Sequence, residues 1–404
     1  MIVRESSEYN VLKFKKNRRI VGLKFIRKML SLDQSDIDLF YKLKNTDSAY
    51  YPIEKKFKSN GDKRKVFNPH PHVRKIQEKI NSRIFNPKGN SQGIIKWPFY
   101  LYGSIPNFID ENEDVVVKNY IACAKNHCLN NSILKIDISD FFENIHHDDV
   151  VNIFKDVLLC CDDVSNLLAD FCTYENRTPQ GALTSSFLAT AVLYDKEPLL
   201  VQRLERKGLV YTRLVDDITV SSKKSNYNFD MAISHIKNML LDKDLPINEE
   251  KLSISLHSSA TTLVHGLRVN FKEPRLPVNE VSRIRSSVKK MEDLSIISDY
   301  RTSRDYRKDF NRCLGRVNRL HAIGHNQAKS LLKRLSKIKP KPSYKDIVFA
   351  NKLTTKLEHM YHSENLDYSY RKKFNIAFNE LNIIQRSFKV QAKILRSRLR
   401  VIKI

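Results

Sequence analysis

Two adjacent carboxylates, Asp216 and Asp217, stand between two runs with strand character, Leu209–Val215 and Ile218–Ser222. Val210, Thr212 and Leu214 alternate with Tyr211, Arg213 and Val215, and Ile218-Thr-Val-Ser follows, so the acids fall at the tip of a β-hairpin. Neighbouring carboxylates repel, and a divalent cation cancels that repulsion; a solvated Asp-Asp turn is the plainer alternative. A second strand pattern, Ile133–Phe142, sets Asp137 between Ile136 and Ile138. A lone acid inside an apolar strand is costly to bury unless it is paired or bound to metal. A third stretch, Thr178–Ser186, is a Pro-Gln-Gly turn leading into an apolar helix. Carboxylates without His or Cys are the oxygen donors that Mg²⁺ takes.

The chain that must position these residues has 404 residues, 41% of them hydrophobic, enough for two or three subdomains. Its net charge of +26 implies a polyanionic partner, with nucleic acid first and a membrane surface second. It has no run of 18 apolar residues and no signal-peptide pattern, so we expect a soluble, cytoplasmic protein without a membrane partner. The six cysteines, Cys123, Cys128, Cys160, Cys161, Cys172 and Cys313, form no Cys-x-x-Cys pair, which speaks against a zinc site or a disulfide framework. With 10 glycines there is no Gly-rich phosphate loop. Residues 274–404 carry 31 Lys and Arg against 11 Asp and Glu, a net of +20, so the basic footprint is C-terminal and the acids gather where the chemistry is placed.

Along the chain, residues 1–50 read as helical, with a basic run from Lys13 to Arg19 that touches a phosphate backbone or simply faces solvent. Residues 51–69 read as a hairpin turning at Asn60-Gly61, with Lys63, Arg64 and Lys65 on the returning strand. Such cations suit a polyphosphate, or lie on an ordinary exposed hairpin. His146-His-Asp-Asp149 is too contiguous for converging metal ligands, and Asp148 or Asp149 is expected to cap the helix that follows. Residues 274–340 are helical and basic; Pro340-Lys-Pro342 breaks the pattern before a last helical stretch. There Ile394, Leu395, Leu399 and Ile402 form an apolar stripe beside a basic one, a surface for RNA or for packing on a thumb or second subunit.

The order Asp137 strand, Pro-Gln-Gly turn, Asp216-Asp217 hairpin resembles motifs A, B and C of the reverse transcriptases, and further stretches are similar to those of bacterial retron and defence-associated enzymes. The hairpin 51–69 resembles their fingers. Cys123-Ala-Lys-Asn-His127 resembles Asn-Ala-x-x-His, with cysteine for asparagine. Asn248 and Lys251 match Asn-x-x-Lys of motif D, and Val264-His265-Gly266 matches Val-Thr-Gly of motif E, with histidine for threonine. Arg312–Leu320 and Ala328–Leu335 resemble the thumb. Leu214 replaces the tyrosine of Tyr-Ala-Asp-Asp, pointing away from a standard retron and toward the defence-associated lineages.

The resemblance implies an α+β right-hand polymerase with an antiparallel palm sheet: an N-terminal helical segment 1–50, fingers 51–130, palm 131–273, helical thumb 274–342 and a basic helical extension 343–404. It implies an RNA-directed DNA polymerase that makes cDNA from a cognate structured non-coding RNA and dNTPs in bacterial antiphage defence. Two Mg²⁺ ions, with Mn²⁺ as the alternative, are expected on Asp137, Asp216 and the Ile138 carbonyl, with Asp217 auxiliary. Phe142 would stack under the deoxyribose and exclude a 2′-hydroxyl, or serve as a core aromatic. Gln180 would support the nucleotide, Lys63 and Arg64 would hold the triphosphate, and Lys251 would protonate pyrophosphate or remain solvated. His127 contacts RNA or packs a helix, and Arg316, Arg319, Lys333 and Arg334 face RNA. A second copy of the chain or an accessory effector protein is a further partner. Two other readings are a group II intron-type enzyme, whose maturase and endonuclease regions are not recognisable here, and a catalytically silent RNA-binding scaffold, disfavoured because all three acids are present.

Overall fold

The two acid-bearing stretches become adjacent strands of one sheet. The computed structural model describes residues 13–14, 22–53, 65–85, 95–110, 112–256, 261–363 and 368–402. Two units are distinguished, Met1–Pro274 and Arg275–Ile404. In the first, the sheet contains β1 (Leu101–Tyr102), β2 (Ser132–Asp137), β3 (Leu209–Leu214), β4 (Asp217–Ser222) and β5 (Ser253–Leu256), in the spatial order β5–β2–β4–β3–β1. The central pairs are antiparallel, as expected, but β1 joins β3 in parallel, so the sheet is mixed. The strand pattern Ile133–Phe142 is strand only to Asp137; Phe141–Asn144 turns into a 3₁₀ helix.

Both faces of the sheet are covered. Ile218 to Ser222 on β4 are all buried, against the period-two pattern of a half-exposed strand. The apolar face packs Leu134, Ile136, Ile218 and Val220 into a core shared with the flanking helices. Ser221, Thr212 and Thr219 are buried too, and require polar partners there. A short hairpin, Tyr50–Pro52 with Phe67–Pro69, flanks the sheet unit; its tip, including Asn60-Gly61, Lys63 and Arg64, lies outside the described residues.

The β3–β4 hairpin is tied down from behind by one cation. Arg213 on β3 is 0% exposed and meets Glu197, 1% exposed, at the start of helix α2 (Glu197–Arg206), which follows α1 (Ser185–Ala191). Its Nε donates to Glu197 Oε1 at 2.6 Å and Nη2 to Oε2 at 2.8 Å. Nη2 also donates to the Thr190 carbonyl, and Nη1 to the carbonyls of Ala189 and Val215. All five guanidinium N–H groups are therefore placed, as burial of such a charge requires. Tyr211 OH adds a third donor to the Glu197 carboxylate at 2.7 Å.

The second unit is helical: α3 (Val278–Ile296), α4 (Arg304–Ala322), α5 (Ala328–Lys337), α6 (Tyr344–His362), α7 (Tyr368–Ile384) and α8 (Lys389–Val401). Val288, Val317 and Leu335 are buried among α3–α5, while α6–α8 enclose Leu357, Leu381, Leu395, Leu399 and Ile402. The C-terminal apolar stripe thus packs inside its own three-helix bundle; Ile394, out of phase with the others, stays 55% exposed. Ser343 and Asp346 form a capping box that restarts the chain after the prolines. Arg307 on α4 joins the two bundles, donating to Asp346 at 2.9 Å and Glu380 at 2.8 Å. Among the described residues no helix is long and apolar enough to cross a membrane.

Replacing Arg213 by methionine strands a buried carboxylate, so urea unfolding should show a loss of about 3–5 kcal/mol. The double variant Arg213→Met/Glu197→Leu removes both charges and should recover most of that loss. Equal destabilisation of single and double variants would contradict the ion-pair account.

Candidate active site

The three acids converge on one end of the sheet. Asp137 closes β2 and Asp217 opens β4, and the two are directly opposed in the antiparallel register. Val215 and Asp216 form the two-residue turn between β3 and β4. Val215 adopts φ of 60°, a costly value for a β-branched residue. Its methyl group packs on Gly103, where an added Cβ would come within 3.0 Å of Val215 Cγ2. The Ile138 N–H donates to the Asp216 carbonyl at 3.2 Å, and Asn248 N–H to the Asp137 carbonyl at 2.8 Å, so the peptide that follows Asp137 is held at both its N–H and its carbonyl.

Crowding shows in the acid–base properties. Burial, then the charges of Asp216 and Asp137, pushes the Asp217 carboxyl up to about 6. Asp216 is also raised, by burial first and by the Asp137 charge. The Lys251 ammonium lies 2.7 Å from Asp137 Oδ2, and that hydrogen bond raises its pKa. An oxygen-only donor set that repels itself and draws a lysine fits a hard divalent cation. Among the described residues no group of three or more His, Cys, Asp or Glu is gathered as a ready-made cage. Mg²⁺ needs none, since it is commonly held by one or two carboxylates with water and substrate phosphates.

Around this centre, Phe141 is the ring sunk in the core, 3% exposed, and Phe142 is half-buried beside it. The two diverge because they sit on a 3₁₀ turn, not on opposite faces of a strand. Thr178 Oγ1 donates to the Phe142 carbonyl at 2.6 Å, joining this turn to the Pro-Gln-Gly loop. The Gln180 carbonyl accepts from Phe67 N–H at 2.8 Å. Gly181, at φ of 112°, lies where a Cβ would be 2.3 Å from the Phe67 carbonyl, so only glycine permits this approach to the hairpin that carries Phe67.

Several expected residues are placed otherwise. His127 is not available to RNA: it is fully buried, with Nδ1 2.6 Å from Ser221 Oγ and Nε2 2.7 Å from Thr212 Oγ1. Burial lowers its pKa to about 3. It answers the polar side chains that β3 and β4 turn inward. Arg319 pairs with Glu280, and Arg334 grips Glu292 with two donors, so both guanidinium groups brace the helices of their own unit. Arg316 and Lys333 are exposed. The helix expected after Asp149 begins earlier, at His147, and Asp149 lies in its first turn, where its carboxylate accepts from the His146 N–H at 3.0 Å and so still satisfies the helix start. Lys63 and Arg64 lie outside the described residues.

Sequence reasoning missed Arg213 and Glu197. The signal was present: a lone cation in a strand pattern raises the same burial problem that singled out Asp137. It also missed that Cys123 and His265 meet, their Sγ and Nε2 atoms 3.3 Å apart.

Comparison with known proteins gives the family. The family described as reverse transcriptase (RNA-dependent DNA polymerase) matches residues 53–292. The chain is 41% identical over 392 residues to the Retron Ec48 reverse transcriptase of Escherichia coli, covering 96% of this chain and 94% of that one. It is 31% identical over 325 residues to the Retron Se72 reverse transcriptase of Salmonella heidelberg (strain 579083-10), covering 80% of each. Leu214 therefore does not set it apart from retrons. A shorter match, 32% over 125 residues, is to the Retron Ec86 reverse transcriptase of Escherichia coli. The chain belongs to the bacterial retron-type reverse transcriptases, RNA-directed DNA polymerases with a right-hand α+β fold.

Proposed function

We propose that this enzyme copies a cognate structured non-coding RNA into cDNA, with Asp137, Asp216 and Asp217 as its catalytic carboxylates. The observation that carries the reading is the register pair Asp137–Asp217 with Asp216 at the adjoining turn. Asp137, Asp216 and the Ile138 carbonyl would hold Mg²⁺, or Mn²⁺ in its place, with Asp217 balancing charge. Two such ions would activate the primer 3′-hydroxyl and neutralise the pyrophosphate leaving group. The half-buried Phe142 ring would lie under the deoxyribose and exclude a 2′-hydroxyl. Gln180, pinned through its carbonyl to Phe67, would support the nucleotide, and Lys63 and Arg64 would take the triphosphate. Lys251, fully protonated beside Asp137, would donate a proton to the leaving group. The setting is the bacterial cytoplasm, and the motif resemblance to defence-associated enzymes supports an antiphage role.

The RNA scaffold would lie against the basic C-terminal unit. On α8, Lys389, Lys393, Arg396 and Arg400 line a groove of about 440 Å³ together with Gln385 and Ser397. Arg396 is held by Gln385 and Asn382, and Lys389, Lys393 and Arg400 are exposed. Together with the exposed Arg316 and Lys333 on α4 and α5, they are the cations a phosphate backbone would meet. Isolation of the protein with its bound nucleic acid tests the substrate: a single structured RNA joined to DNA is expected, and bulk cellular RNA would refute it.

Asp216→Ala should lower Mg²⁺-dependent dNTP incorporation by more than about a hundredfold while RNA binding persists. Incorporation near the parental rate would remove Asp216 from the site.

Phe142→Ala should admit ribonucleotides, reducing discrimination against them by about tenfold. Unchanged preference for deoxynucleotides would make Phe142 a packing residue.

Alanine at Lys389, Lys393 and Arg400 should weaken RNA binding and lower the slope of log affinity against log salt by about one for each phosphate that is no longer neutralised. Filter binding at several salt concentrations reads this, and an unaltered slope would move the RNA elsewhere.

A further inference from the structure

Among the described residues, no acid lines the groove that Lys389, Lys393, Arg396 and Arg400 border on α8. The helix α8 carries no acidic residue at all, and the one acid of α7, Glu380, is held by Arg307 at 2.8 Å. Arg398 on the same helix is neutralised by Glu358 through two donors, at 2.8 and 2.7 Å. Arg396 differs: it is half-buried in the groove wall and donates to neutral groups. Its Nη1 meets Gln385 Oε1 at 3.0 Å and its Nη2 meets Asn382 Oδ1 at 3.2 Å. The Phe378 ring, 40% exposed, supports the guanidinium, with Arg396 Cζ 5.7 Å from its centroid. Phe374 backs Phe378 in turn, the rings nearly parallel at 12° and 6.5 Å apart. Positions 374, 378, 382 and 385 follow at helical spacing, so rings and amides share one face of α7.

A guanidinium that clamps a phosphate presents its two-nitrogen fork to the ligand. Here both terminal nitrogens are turned aside onto α7, and the ring fixes the plane. What this leaves to a ligand is a flat, charged surface in the wall of a cationic groove. An unstacked base lies flat on such a surface, whereas a base inside a duplex has both faces covered by its neighbours. Cations alongside a stacking surface are the combination that holds single strands.

We propose that the α7–α8 groove takes an unpaired nucleotide of RNA, its base stacked on the Arg396 guanidinium and its flanking phosphates met by Lys389, Lys393 and Arg400. The amide oxygens of Asn382 and Gln385 are occupied by Arg396, so their NH₂ groups are left to donate to the base edge. This rests on the RNA scaffold lying in the groove, as read above, and adds that the groove selects a loop or bulge over a duplex.

The test uses the full-length enzyme and two probes, a short oligo(U) RNA and a blunt RNA duplex of the same length. Arg396→Lys keeps the charge and loses the plane. It should weaken oligo(U) binding about tenfold, as loss of a stacking partner does. Duplex binding should change by less than about twofold, and the salt slope for oligo(U) should stay as it was, because no cation is lost. In the parental enzyme, oligo(U) carrying one 4-thiouridine should photocrosslink to α7 or α8 around Phe378 and Arg396, and a duplex carrying the same base should not. Parental oligo(U) affinity in Arg396→Lys, or equal losses for the two probes, would overturn the proposal, even where alanine at Lys389, Lys393 and Arg400 lowers the salt slope. An unaltered slope in that triple variant overturns the groove reading and this proposal together. Should Arg396→Lys not fold, absence of the groove crosslink in the parental enzyme would overturn the proposal.

Discussion

Backbone pairing places Asp137 directly opposite Asp217, and the repulsion between these carboxylates, with Asp216 one residue away, is the constraint on which the rest of the structure turns. The backbones of Asp137 and Asp217 cannot separate without breaking the β2–β4 ladder. Each support around them therefore opposes a force that favours opening. Hydrogen bonds from the Ile138 and Asn248 N–H groups fasten the peptide that follows Asp137. Arg213 fastens the far side of the hairpin through the Val215 carbonyl, and Lys251 supplies a positive charge from the front.

These supports differ in kind, and the difference follows from burial. Lys251 is exposed, so its ammonium can leave Asp137 at little cost when another cation arrives. Arg213 and Glu197 are sealed, and a buried ion pair is bound to its geometry because neither partner can be left alone. The hairpin is thus rigid at its root and exchangeable at its mouth. That suits a polymerase, which takes in a new nucleotide at every addition.

The legible part of this architecture was the part written in short local patterns. The strand alternation around Asp137 and Asp216, the Pro-Gln-Gly turn and the capping acid at Asp149 all depend on neighbours within a few residues, so their spacing could be read directly. What stayed hidden depends on partners far along the chain. His127 could be read as a contact for RNA or as a packing residue, because nothing local shows that β3 and β4 turn Thr212 and Ser221 toward it. The parallel strand that makes the sheet mixed went unread because β1, two residues long, carries almost no periodic signal of its own. Arg319 and Arg334 read as free cations because Glu280 and Glu292 lie more than thirty residues away on another helix. The C-terminal apolar stripe was visible, but its partner was not, since three helices must be assembled before it is covered.

Val215 carries a last consequence, for what a substitution there would change. A β-branched residue held at positive φ stores strain of order 1–3 kcal/mol, which glycine would release. Yet glycine would also multiply the conformations open to the unfolded chain and remove the methyl that rests on Gly103. The position is therefore a local compromise, in which strain in the folded turn is set against the freedom of the unfolded chain. Glycine there would loosen the turn that carries Asp216.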